Sequence, residues 1–177
     1  SALGVEIVAV FDTHIHADHI SGGRQLAADL DVPYYLSETA TDRRVDYDYD
    51  SLGTNEVVQI GGVDLKALST PGHTSEMVSY LVGHEAVLTG DTIFVDSVGR
   101  TELQFGDGEA STGAELLYES LHRTLMAEPD SVNVLPGHFS VANDGTTPIT
   151  PGEPVDTTVG VLRTGLELLA QNREAFV

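Results

Sequence analysis

Four times along this chain a short apolar run, rich in β-branched residues, stops at a histidine or an aspartate with a turn-forming residue beside it. Residues 5–11 (VEIVAVF) lead into Asp12-Thr13-His14, and residues 63–68 lead into STPGHT, which holds His73. Residues 86–89 lead into TGDT with Asp91, and residues 132–135 into PGH with His138. If these runs are strands of packed sheets, their ends gather at one sheet edge and present the four side chains to a common point. Taken singly, His138 or Asp91 reads as structural more readily than functional. Four strand-to-loop junctions that each end in a ligand type read as a site.

The rest of the chain fits a layered α/β domain spanning residues 1–177, a length that suits one domain with a real core. Residues 22–30 have the pattern of a short helix, 33–36 of a strand and 42–50 (DRRVDYDYD) of a polar loop. Residues 57–60 and 63–68 flank Gly61-Gly62 as a hairpin, and 77–82 and 85–89 flank Gly83-His84 as a second. Leu116, Leu117, Leu121 and Leu125 lie at helical spacing within residues 114–127. After a loop at 143–154, residues 156–175 are expected to form one amphipathic helix.

The densest chemistry lies in THIHADHISGG, residues 13–23. It packs His14, His16, Asp18 and His19 into six positions. Two residues apart on an extended segment, His14 and His16 point the same way, and Asp18 and His19 sit at the turn into the helix. They could serve two adjacent metal positions; the plain alternative is a patch of solvated surface histidines. The chain has no cysteine. Disulfides, thiolate ligands and a Cys nucleophile are therefore excluded, and any metal must be held by imidazole and carboxylate.

Charge narrows the partners. Twenty-eight acids stand against 8 bases, for a net charge of −20, and the acids are scattered rather than confined to a tail. Such a surface repels phosphate backbones and anionic lipid, so neither nucleic acid nor membrane is an expected partner. High acid with a single lysine, Lys66, is similar to proteins of salt-loving organisms; the alternative is an ordinary acidic protein. With no apolar run long enough to span a bilayer and no signal segment, a cytoplasmic location is expected, export through a removed leader remaining open.

The motifs THIHADH, TPGHT, TGD and LPGH, in that order, resemble the metallo-β-lactamase superfamily. The resemblance implies an αββα sandwich with metal at the edge between two sheets. In two-metal members the positions of His14, His16 and His73 hold one ion, those of Asp18, His19 and His138 the other, and that of Asp91 bridges. The β-lactam-cleaving members commonly use a Cys ligand, which is absent here; diiron oxygen reductases have Glu where His16 stands. Persulfide dioxygenases and glyoxalase II remain. The segment GDTIFVDSVGRTELQFG resembles the dioxygenase pattern through Arg100, Thr101, Glu102 and Gln104.

The dioxygenase resemblance implies one Fe(II) held by His14, His73 and Asp91, with His16, Asp18, His19 and His138 around it, and oxidation of a small thiol persulfide to sulfite. The glyoxalase II resemblance implies Zn(II), one or two ions, with a hydroxide oriented by Asp18 attacking a thioester. Asp18 and Asp91 are thus the candidate catalytic carboxylates. Arg100 either pairs with a substrate carboxylate or ties its loop to Glu102 or Asp96. A binding protein with a relic site is a third reading, against which every ligand position is intact. Family members carry a substantial segment before the first motif, whereas here it begins at residue 14. The sandwich is therefore expected to lack its N-terminal strands and to expose an apolar sheet face, covered by homo-oligomerisation or by residues outside this sequence.

Overall fold

Alternation along β6 (Val78–Val82) sets the layering: Leu81 faces one core, while Val78 and Tyr80 face another. A strand buried on both faces must lie inside a stack of layers. In the computed structural model, which describes residues 4–15, 20–43, 45–105, 110–139 and 152–177, it does. β6 is the third strand of a six-stranded sheet with β4 (Val57–Ile60), β5 (Val63–Ser69), β7 (Ala86–Gly90), β8 (Asn133–Pro136) and β9 (Thr157–Thr158), in sequence order. Pairing is antiparallel except between β7 and β8, whose parallel register needs a long crossover. That crossover carries α2 (Glu102–Phe105) and α3 (Ala110–Glu119). The second sheet is short and parallel: β1 (Val10–Phe11), β2 (Tyr34–Ser37) and β3 (Asp50–Leu52).

Three apolar layers hold these pieces together. Ala27 of α1 (Gly23–Leu30) packs on Tyr34 and Leu36 of the small sheet. Leu52, Phe11 and Tyr35 meet Ala67, Val78 and Tyr80 between the sheets. Leu117, Leu121 and Leu125 close over Leu68, Leu81 and Val87 on the far face, joined by Val159 and Leu162 of α4 (Val159–Gly165). The order is helix, sheet, sheet, helix, as the resemblance implied. Among the described residues no helix is long and apolar enough to cross a membrane.

Four expectations need correction. The run at 5–11 is a strand only at Val10–Phe11, and Val5, Ile7 and Val8 are exposed. Its partner β2 opens just after Pro33, which offers a carbonyl to Val10 N–H but has no N–H of its own, so the ladder cannot extend backward. The 42–50 loop is entered by a 3-10 turn, Glu38–Arg43, and Asp50 already belongs to β3. The helix over 114–127 starts at Ala110 and changes pitch, through a wide turn at Ser120–Thr124 and a tight one at Leu125–Ala127. The single helix at 156–175 is three pieces: α4, a 3-10 turn at Glu167–Ala170, and α5 (Arg173–Phe176). Leu166, extended at φ −88° and ψ 103°, breaks it after Gly165, and Thr158 and Asn172 cap the two α-helical pieces.

Beside Val5–Val8 lies an open apolar cleft of about 540 Å³ whose walls include Ile7, Val8, Phe11, Ile60, Val63 and Leu88.

Candidate metal centre

Each strand end turns sharply before its ligand. β7 ends at Gly90, whose φ of +50° suits glycine, and a Cβ there would press into Thr13 and Met77. Asp91 follows at once, bringing its carboxylate beside the segment that holds His14. β5 runs through Thr70-Pro71-Gly72 to His73, and β8 through Gly137 to His138. One donor atom each from His14, His73 and Asp91 lies within 4.8 Å of the others. His14 Nε2 stands 3.7 Å and His73 Nε2 3.6 Å from Asp91 Oδ2. Donors bound to one ion at about 2.1 Å are roughly 3.0–3.4 Å apart, so each histidine stands within a few tenths of an ångström of a shared-ion distance from Asp91. His14 is 4% and Asp91 7% exposed, a depth at which a carboxylate needs partners. The donor set and its spacing fit a divalent ion.

The surrounding hydrogen bonds decide which atoms are offered. His73 Nδ1 lies 2.8 Å from the Arg100 carbonyl, which can only accept, so the proton sits on Nδ1 and Nε2 keeps its lone pair for the cluster. His14 Nδ1 is engaged by the Thr13 hydroxyl at 3.0 Å. Asp91 is divided: Oδ2 faces both imidazoles, while Oδ1 accepts from His138 Nδ1 at 2.6 Å. The His138 side chain is itself 53% exposed. The structure therefore brings His14, His73 and Asp91 together and sets His138 against the outer oxygen of Asp91. His16, Asp18 and His19 lie outside the described residues.

Several residues shape the cluster without offering it a donor atom. Glu76, 1% exposed, accepts the Ile15 N–H at 3.0 Å and so ties the His14 segment to the loop that bears His73. Gln104 grips that loop twice, accepting from Ser75 N–H at 2.6 Å and donating to Ser75 Oγ at 2.9 Å. The buried Thr92 hydroxyl donates to Thr70 at 3.0 Å, joining the residue after Asp91 to the approach to His73. Gly99 is wedged between two ligands: a Cβ on it would overlap the Asp91 carbonyl and lie 3.1 Å from His73 Cβ. The Arg100 side chain bonds Glu102 at 2.6 Å and is 67% exposed. A hydrogen bond from its own backbone N–H, and then the Arg100 guanidinium, lower the Glu102 carboxyl from its ordinary value. So the segment 99–104 braces His73, through the Arg100 carbonyl and Gln104.

A helix-sheet-sheet-helix sandwich that gathers two imidazoles and a carboxylate at its strand ends defines a class of metal-site α/β proteins. Comparison with known sequences identifies the lineage. The chain belongs to the metallo-beta-lactamase superfamily, whose family model matches residues 2–138. It is 28% identical over 137 residues to the mitochondrial persulfide dioxygenase ETHE1 of Bos taurus, covering 77% of this chain and 50% of that protein. It is 31% identical over 142 residues to a hydroxyacylglutathione hydrolase of Dictyostelium discoideum, covering 76% and 48%. The chain thus spans about half the length of these curated relatives. The solved structure of ETHE1 from Myxococcus xanthus superposes with a TM-score of 0.80 at 29% identity, covering 99% of this chain and 69% of that one.

Proposed function

We propose that this chain carries the metal site of a persulfide dioxygenase, with His14, His73 and Asp91 holding one Fe(II). The observation that carries the reading is the division of Asp91. One oxygen faces the two imidazoles and the other is occupied by His138, so the carboxylate serves a single ion and His138 supports it from behind. A bound Fe(II) would supply the open coordination positions and the redox chemistry that dioxygen requires. His73 and His14 hold their metal-facing nitrogens ready through the Arg100 carbonyl and the Thr13 hydroxyl. The reaction balances as RSSH + O2 + H2O giving RSH and sulfurous acid: the outer sulfur is oxidised and the thiol leaves with its proton. His16, Asp18 and His19 are proposed, from sequence, as groups that orient ligands and water around the ion.

A second reading has one observation in its favour. His138 stands close enough to Asp91 to hold a second ion after a ring rotation, as a dinuclear Zn(II) thioester hydrolase would require. Metal content, oxygen uptake and thioester cleavage measured on the anaerobically purified protein separate the two. Uptake of one O2 per sulfite formed supports the dioxygenase; thioester cleavage with two zinc ions and no uptake overturns it.

A further inference from the structure

Arg24, in the first turn of α1, stands apart from the other described arginines. In a chain of net charge −20, Arg100, Arg123, Arg163 and Arg173 each pair with a carboxylate. Among the described side chains Arg24 is the arginine with no carboxylate partner; it stacks over the Tyr47 ring at 4.4 Å. Stacking uses the face of a guanidinium and leaves its N–H edge able to take a planar carboxylate through two parallel hydrogen bonds. Arg24 and Tyr47 line a cavity of about 250 Å³ together with Asp12, Tyr34 and His14. Asp12, the carboxylate on that wall, already accepts the Tyr34 hydroxyl at 2.6 Å. At this size the cavity admits the end of a small molecule rather than a whole drug-sized ligand.

We infer that Arg24 is the anchor for the carboxylate of a small thiol substrate, placing the sulfur end toward the cluster that His14 belongs to. The inference rests on the proposed thiol-handling site and assigns its substrate class: a thiol carrier with a free carboxylate. It also replaces Arg100, which is bonded to Glu102, as the recognition residue. In so acidic a protein an arginine free of carboxylates is what draws one anion inward where the general field repels others.

The test is equilibrium binding of N-acetylcysteine and of its neutral amide to the metal-loaded protein, at the lowest salt that keeps it folded, for wild type, R24Q, R24K and R100Q. The wild type is expected to bind the acid at least tenfold tighter than the amide. R24Q should cut that preference to within twofold by weakening the acid, with the amide affinity reporting that the site is still formed. R24K should retain part of the preference, as a point charge without the fork, and R100Q all of it. A preference that survives R24Q, vanishes in R100Q, or is absent from the wild type overturns the assignment of Arg24. Failure of both thiols to bind would sink the thiol-site reading with it.

Discussion

The two ends of the candidate centre are built differently. At the inner end His14 and Asp91 are buried and His73 is partly so, and each has a polar partner: the adjacent Thr13 hydroxyl on His14, and from other segments the Arg100 carbonyl on His73 and His138 on Asp91. At the outer end the imidazole of His138 is half in solvent and donates to the outer oxygen of Asp91. The three-donor pocket is thus the more enclosed and more rigidly set part of the centre, and the fourth donor stands at its solvent edge.

The harshest way to break the inner end without touching a ligand is G99A. The new methyl collides with the Asp91 carbonyl and crowds His73, so both donors must shift. Since a displacement of an ångström is enough to ruin a site, metal retention after dialysis should fall by more than tenfold while the folded secondary structure, seen by circular dichroism, persists. Retention at the wild-type level would show the inner end to be less rigid than described.

H138A sharpens the comparison from the outer side. If His138 supports Asp91 rather than an ion of its own, the variant should keep the same number of ions per chain and bind them some 10–100-fold more weakly. Chelator competition gives the affinity and elemental analysis the count. Loss of half the bound metal would favour the two-ion reading.

The smallest effect concerns the scaffold behind the inner end. Burial, aided by Asp12, raises the Tyr34 and Tyr80 phenols well above the ordinary value of 10.0. Below that value the stability these groups contribute is fully present; above it the unfolded phenols ionise first, so stability falls as pH rises. Alkaline titration at the tyrosinate band should leave Tyr34 and Tyr80, of the chain's six tyrosines, un-ionised until the chain unfolds. Reversible ionisation of all six below that transition would contradict the packing.

Much of this was readable from the chain because strand ends announce themselves. TPGHT, TGDT and LPGH each put turn chemistry next to a ligand type, and the apolar runs before them are the strands β5, β7 and β8. The bracing was not readable. Glu76, Thr70 and Thr92 look like ordinary loop polarity, and Gln104 matched a pattern without showing what it grips, until the fold brings together residues 22–61 positions apart in sequence. Arg100 was singled out for its guanidinium, yet its carbonyl is what touches His73, and no residue type advertises a carbonyl. Periodicity also misled at the C-terminus, where apolar spacing continues across Gly165 and Leu166 although the backbone does not.

Elemental analysis of anaerobically reconstituted wild type beside D91N tests the central claim most directly, because asparagine keeps the shape of Asp91 and removes the charge that both imidazoles face. One ion per chain in the wild type and close to none in the variant is the expected result. Undiminished metal in D91N, or metal that survives replacement of both His14 and His73, would mean that the ion is held elsewhere.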